Sequence, residues 1–120
     1  MEAFRIQFAK EKDTIFLTGD KGDIKSLNTM EQKSKTILKT STCFNSSMAI
    51  SPSGKYLATG NTNGDIFIFD LGNEGKITVL KKCHQKIVRS LSFLYDSGFL
   101  LSCSDDKTIK LIDMQLMKVV

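Results

Sequence analysis

One stretch of the chain occurs twice with nearly the same pattern. Residues 56–70 (YLATGNTNGDIFIFD) are answered by residues 99–113 (FLLSCSDDKTIKLID), about 43 positions later. A third copy comes before both, because residues 15–28 follow the same order, with Gly22-Asp23-Ile24 in the place of Gly64-Asp65-Ile66. Self-similarity at such a period is typical of repeat architectures, in which each unit buries its apolar face against the next. The sequence therefore predicts three repeats.

Each repeat divides into short alternating or apolar runs separated by turn residues, which indicates an antiparallel meander rather than helices. The turn at residues 51–54 is marked by proline and glycine. Four strands in a unit of about 43 residues are the signature of a propeller blade. We predict an all-β chain of the β-propeller type with three four-stranded antiparallel blades, at approximate boundaries 1–40, 41–82 and 83–120. The predicted strands are residues 4–8, 14–18, 23–27, 35–39, 45–50, 56–60, 65–70, 76–80, 88–93, 99–103 and 108–113, with an outer strand at 119–120.

The middle strands, residues 66–69 and 109–112, are apolar on both faces or nearly so. A strand of this kind is covered on both sides. Propellers close with about four to eight blades, so three blades form a partial propeller with two uncovered apolar faces. Two interpretations are open. The chain is a segment of a longer propeller with blades missing on both sides, or copies associate to close a ring.

The composition indicates a soluble chain of about one small domain, with 120 residues, 41% of them hydrophobic. No apolar run approaches the roughly 18 residues of a membrane span, and no basic region leads into a signal-peptide core. The three cysteines, Cys43, Cys83 and Cys103, form no CxxC pair and are typical of buried small side chains in a reducing compartment. We therefore expect a cytoplasmic and nuclear protein without membrane contact.

The net charge of +4 is mild, and many of the lysines lie in or beside the predicted fourth strands. Lysines that flank an edge strand oppose strand-on-strand aggregation. Direct nucleic-acid binding is a weaker alternative, because an RNA-binding surface would interleave aromatic residues with the basic ones, and these segments have none.

The third repeat carries the residues of a known family. Cys83-His84, residues 88–93 (VRSLSF) and residues 100–113 (LLSCSDDKTIKLID) resemble the WD repeat, with Cys83 in place of the usual glycine and Ile112 in place of the usual tryptophan. In that family a histidine, a serine or threonine, an aspartate and the tryptophan form a buried hydrogen-bonded tetrad. The resemblance implies that His84, Ser102 and Asp106 are structural, with Ser102 between the other two and the last link broken at Ile112.

The same three residues make a Ser-His-Asp set in name. A catalytic nucleophile needs an exposed serine, an oriented base and an oxyanion hole, whereas Ser102 falls in a strand predicted to be buried. Cys83, His84 and Cys103 make a poor zinc site, because adjacent ligands point in different directions from an extended chain. We predict no enzymatic activity, no catalytic residue, no metal and no cofactor.

Within the WD repeats, residues 50–60 (ISPSGKYLATG), 65–70 and 88–93 resemble the family of small WD-repeat subunits shared by the Ski (superkiller) and Paf (polymerase-associated-factor) complexes. The resemblance implies a non-enzymatic interaction scaffold in exosome-linked RNA surveillance or transcription elongation. Its partners would be a helical-repeat scaffold, a helicase or elongation-factor subunits, docking through short linear segments. A generic WD-repeat adaptor in ubiquitin ligation or vesicle traffic is the alternative.

Propellers of this family usually bind partners on the narrow top surface, formed by the start of each inner strand and the turn before each third strand. Large apolar residues and arginine at such positions are the types that anchor interfaces. In the alternative interpretation, Phe4 and Ile87 pack between the blades. When the three repeats are matched to these positions of the family, they give the candidate partner-binding set: Phe4, Asp20, Phe44, Ser46, Thr62, Ile87, Arg89 and Asp105.

Overall fold

The computed structural model describes residues 3–9, 14–19, 22–38, 45–73, 76–94 and 98–120, and the side chains of all of these except 3–9, 19 and 38. These residues form twelve strands. They contain no helix that is long and apolar enough to cross a membrane. The strands are β1 (Ala3–Ala9), β2 (Thr14–Gly19), β3 (Ile24–Asn28), β4 (Lys33–Leu38), β5 (Asn45–Ile50), β6 (Tyr56–Asn61), β7 (Ile66–Asp70), β8 (Ile77–Leu80), β9 (Val88–Phe93), β10 (Phe99–Ser104), β11 (Ile109–Asp113) and β12 (Lys118–Val119).

Consecutive strands pair in three four-stranded antiparallel sheets, β1 to β4, β5 to β8 and β9 to β12, which we call blades 1, 2 and 3. The strand ends lie within two residues of the predicted ones. The predicted fold, an all-β partial propeller of three four-stranded antiparallel blades, is therefore confirmed.

The blades stack side by side as an arc, with the inner strand β5 in contact with β1 on one side and β9 on the other. Because side chains alternate along a strand, each face of blade 2 covers a different neighbour. The face with Leu57 and Phe69 packs with Phe16, Ile24 and Met48, toward blade 1. The opposite face, with Ala58, Ile66 and Ile68, packs against residues of blade 3, which include Val88, Leu91, Leu100 and Ile112. Burial of these two faces holds the arc together.

The face of blade 3 that is turned away from blade 2 has no neighbour in the described chain. Leu101 pairs with Leu111 there, and Cys103 pairs with Ile109. The first three are only half-buried, and Ile109 is 76% exposed. One repeat earlier, the same positions form the face of blade 2 that blade 3 covers. The arc is thus open on this side.

A carboxylate or amide at the end of each third strand organises the following turn. The side-chain Oδ1 of Asn28, Asp70 or Asp113 accepts two backbone N–H bonds from residues two and three positions later, at 2.8–3.1 Å. Such turns are favoured by Asn and Asp, whose short side chains reach their own backbone. The asparagine or aspartate that ends each repeat core therefore sets the hairpin to the outer strand.

Gly64 lies in the turn between β6 and β7 of blade 2, against the connection that leads into blade 3. Its φ of +87° is in the left-handed region, and its carbonyl accepts a hydrogen bond from the N–H of His84 at 3.0 Å. A Cβ at this position would lie 1.9 Å from the carbonyl oxygen of His84. Only glycine allows the two backbones to approach this closely, so Gly64 positions the connection that carries His84.

Candidate protein-interaction surface

The connection 81–87 and the turns 62–65 and 105–108 lie at one end of blades 2 and 3, because an antiparallel meander returns to that end between its second and third strands and before the next inner strand. Hydrogen bonds tie these segments together. The N–H of Asp105 donates to the carbonyl of Ile87 at 3.3 Å, and the N–H of Lys82 donates to Oδ1 of Asp65 at 2.9 Å. We call this end the top.

The second residue of every inner strand is the extra residue of a β-bulge. The pairing of each inner strand with its neighbour shifts by one position at this point, so one residue has no partner in the ladder. A bulge of this kind frees a side chain from the alternation of the strand and re-aims it. The three bulged residues, Phe4, Ser46 and Arg89, all belong to the predicted binding set.

Arg89 and Asp105 form an exposed ion pair at the top of blade 3. Nε and Nη2 of Arg89 donate to the two carboxylate oxygens of Asp105 at 2.9 and 2.8 Å, and the side chains are 61% and 44% exposed. This hydrogen bonding raises the pKa of Arg89 and lowers the pKa of the Asp105 carboxyl. The bidentate contact holds the guanidinium in one orientation at the surface.

The other candidates are placed in different ways. Thr62 and Ile87 lie at the top and are half-buried, so each presents part of its side chain there. The backbone of Phe4 is in β1. Its side chain, and all of Asp20 and Phe44, lie outside the described residues. The role of these residues in binding stays a prediction.

Ser46 requires a correction, because its side chain is only 7% exposed. Its Oγ lies 2.6 Å from the carbonyl oxygen of Val88 in blade 3 and 3.3 Å from that of Gly60. The bulge turns this short side chain inward, where it links blades 2 and 3. Ser46 is therefore part of the blade contact and not of the accessible surface.

His84 is fully buried at the centre of a hydrogen-bonded cluster. Its Nδ1 lies 3.0 Å from Oδ2 of Asp106 and 3.0 Å from Oγ1 of Thr108, and its Nε2 lies 2.7 Å from Oγ of Ser102. An ionised carboxylate only accepts, so Nδ1 of His84 donates to Asp106. The structure thus brings His84, Ser102 and Asp106 together, but the expected order was wrong: His84, not Ser102, lies between the other two.

Asp106 receives more hydrogen bonds than the family resemblance implies. Its Oδ1 accepts from the hydroxyl and N–H of Thr108 at 2.6 and 2.9 Å, and its Oδ2 accepts from the N–H of Gln85 at 3.0 Å. These bonds, with Thr108 first, outweigh desolvation and hold the pKa of Asp106 well below its ordinary value. Sequence reasoning missed Thr108, although a threonine two residues after a turn aspartate is a signal for such a bond.

The surroundings of the cluster indicate a structural role. Ser102 is 1% exposed, and Ile112, in the place of tryptophan, is fully buried without a polar group to offer. Burial raises the pKa of the Cys83 thiol, although Lys110 opposes this. Among the residues that the structure describes, no three His, Cys, Asp or Glu side chains are grouped so that they could hold a metal ion.

The repeat order, the propeller blades and the histidine cluster agree with the comparison of the chain with known families. The family described as "WD domain, G-beta repeat" matches residues 24–70 and 75–113. The chain belongs to this family. The narrower likeness to the Ski and Paf subunits is not supported, because the relatives found are other WD-repeat proteins.

Three comparisons describe these similarities. WD repeat-containing protein 1 of Mus musculus is 39% identical over 72 residues, 58% of this chain and 12% of the relative. The WD repeat-containing protein 55 homolog of Drosophila melanogaster is 32% identical over 69 residues, 57% of this chain and 14% of the relative. The structure titled "Structure of U3-55K" superposes with a TM-score of 0.90 at 21% identity, over 100% of this chain and 38% of that one.

The WD-repeat chain thus spans 12–16% of the length of the curated relatives it matches. The likeness to the solved structure, at 21% identity, shows the fold alone. Propellers of WD repeats are typically non-enzymatic and mediate protein–protein contacts, which agrees with the burial of the only serine–histidine pair in the described residues.

Proposed function

We propose that the chain is a non-enzymatic protein-interaction scaffold that binds partner proteins through the top of its WD-repeat blades. The observation that supports this most directly is the Arg89–Asp105 pair. It is exposed, it stands on a bulge and a turn, and its guanidinium is held by Asp105. By contrast, Ser102 and His84, the serine and histidine of the Ser-His-Asp set, are buried and bonded to each other. Arginine is among the residues enriched at interface hot spots.

Affinity capture from cell extract tests the proposal, with the wild-type chain beside Arg89→Glu and Phe44→Ala. Lys118→Glu is the matched control, because it reverses an exposed charge on the outer strand β12, away from the inner strand that carries Arg89. We expect mass spectrometry to identify partners that are lost in the two top-surface variants and kept in the control. Unchanged capture of every partner by both variants would remove the top surface from the proposal.

The identity of the captured proteins decides between the narrower hypotheses. A helicase with a helical-repeat scaffold, or Paf-type elongation factors, would support the Ski/Paf hypothesis, which the relatives found do not support. Ubiquitin-ligase or trafficking subunits would support a generic adaptor. We further propose a cytoplasmic and nuclear location, which fluorescence microscopy of the tagged chain checks.

The absence of catalysis is part of the proposal and has its own test. If an ester or phosphate substrate were hydrolysed, and the activity vanished in a still-folded His84→Ala variant, the scaffold proposal would have to give way to an enzyme. The expected result is no turnover in either protein, because Ser102 beside His84 is 1% exposed and the hydroxyl of Thr108 donates its proton to Asp106 rather than to His84.

A further inference from the structure

Five cationic side chains are exposed at the top of blades 2 and 3. Two follow β8, one precedes Ile87, one is the second residue of β9, and one lies in the turn between β10 and β11. These segments are hydrogen-bonded to each other, so their positions relative to one another are set by the fold. We call this group the basic top, and it consists of Lys81, Lys82, Lys86, Arg89 and Lys107.

The carboxylates on the same segments are already used by the fold. Asp65 accepts the N–H of Lys82, and Asp106 accepts bonds from His84, Gln85 and Thr108. Asp105 is bound by Arg89 through both oxygens. These acids therefore satisfy the backbone and one guanidinium, and they neutralise the lysines only in part.

Three ammonium groups of the basic top, on Lys81, Lys86 and Lys107, have no hydrogen bond or salt bridge to any residue that the structure describes. The ammonium of Lys86 does act at longer range, since it helps to lower the pKa of the Asp105 carboxyl. Arg89 uses only Nε and Nη2 for Asp105, and a guanidinium carries five N–H donors. Three N–H donors remain, two on Nη1 and one on Nη2, and they can donate to an incoming carboxylate.

We propose that the basic top binds an acidic segment of a partner protein, with carboxylates paired to Arg89, Lys86 and Lys107. This deepens the proposed function and rests on it, because it names the chemistry of the segment that the top would take. A fixed arginine with free donors suits the planar, bidentate geometry of a carboxylate. Positive potential facing negative charge favours the correct partner and speeds its encounter.

A protein segment fits this surface better than a nucleic acid. The described residues of the basic top and their neighbours Thr62, Gln85 and Ile87 offer no aromatic ring on which a base could stack. The carboxylate of Asp105 lies within the cluster and would repel a continuous phosphate backbone. Individual side-chain carboxylates can avoid this charge because they are spaced along a flexible chain.

Fluorescence anisotropy tests the inference with the full chain and a fluorescein-labelled peptide of alternating glutamate and serine. The same peptide with glutamine in place of glutamate measures what charge contributes, and a labelled oligouridine tests nucleic acid. The test variant is Lys86→Glu with Lys107→Glu, neither of whose ammonium groups bonds to the fold. Lys33→Glu with Lys118→Glu is the matched control, because these exposed lysines on β4 and β12 give the same change in net charge.

We expect the glutamate peptide to bind more tightly than the glutamine peptide and to weaken with salt, because exposed charges are screened. The test variant should bind it roughly tenfold more weakly, since like charges would face each other, and the control should bind it as the wild type does. Equal binding of both peptides, equal loss in both double variants, or tighter binding of oligouridine than of the peptide would overturn the inference.

The two proposals fail in distinguishable ways. If capture from extract shows no partner that depends on Arg89 or on Phe44, the top-surface function itself is wrong. If such partners are found but the test variant keeps its affinity for the glutamate peptide, the scaffold function stands and the acidic chemistry is wrong.

Discussion

Replacement of Gly64 by alanine should destabilise the chain through a backbone collision. The added Cβ would lie 1.9 Å from the carbonyl oxygen and 2.7 Å from the carbonyl carbon of His84. These atoms belong to the main chain and cannot rotate away. The connection would have to move, and the bond from the N–H of His84 to the carbonyl of Gly64, as well as the bond from Lys82 to Asp65, would be lost or weakened.

The expected loss is worked out by comparison with Gly54, whose φ of +75° is similar but whose added Cβ would meet nothing within 4 Å. Gly54→Ala therefore reports the backbone strain alone, about 1 kcal/mol once the stiffer unfolded chain is allowed for. Gly64→Ala has the same backbone strain and also loses two hydrogen bonds, at about 1 kcal/mol each. The free energy of unfolding should therefore fall by about 3 kcal/mol, before any disturbance of His84.

Urea denaturation followed by far-ultraviolet circular dichroism measures both variants beside the wild type. With a slope of about 2 kcal/mol per molar urea, the midpoint should fall by about 1.5 M in Gly64→Ala and by about 0.5 M in Gly54→Ala. Equal midpoints for the two variants would refute the reasoning, because the close approach to His84 would then carry no energy.

Three further outcomes are expected. Asp106 has a lowered pKa in the folded chain, so its contribution to the free energy of unfolding is present above about pH 4, the ordinary pKa of an aspartate, and is lost as the pH falls. The difference in urea midpoint between the wild type and Asp106→Asn should therefore narrow at acid pH, and a constant difference would contradict this. Lys107 has φ of +68°, so Lys107→Gly should raise the free energy of unfolding by up to about 1 kcal/mol, and a loss would show that its side chain matters more than its backbone. Ile112→Ala should cost about 2–5 kcal/mol because the side chain is fully buried, whereas Ile109→Ala, at 76% exposure, should change stability by less than about 0.5 kcal/mol.

The sequence predicts the strands well because each one is bounded by turn chemistry. Proline and glycine at residues 51–54 mark a turn whose bond from the N–H of Gly54 to the carbonyl of Ser51 is 2.9 Å. The apolar run of β7 lies between Asp65 and the turn that Asp70 organises. Local residues set these limits, so no knowledge of the neighbouring blades is needed.

The positions of individual side chains are less predictable, because they depend on contacts between blades. Ser46 was expected at the surface, but the bulge and the nearby carbonyl of Val88 turn it inward. His84 occupies the centre of its cluster because its two ring nitrogens lie on different sides of the imidazole and reach Asp106 at 3.0 Å and Ser102 at 2.7 Å. Neither outcome follows from the residue types alone.

The bulge at the head of each inner strand also bears on how such a surface can change its specificity. Phe4, Ser46 and Arg89 differ in size, polarity and charge, yet they occupy the same unpaired position of three blades. Because this residue makes no cross-strand pair, its replacement leaves the register of the sheet intact. At Arg89, whose side chain is exposed, natural variation or a combinatorial library can thus alter recognition while the repeats continue to fold in the same way. At Ser46, which is buried against blade 3, the same variation would instead change the contact between blades.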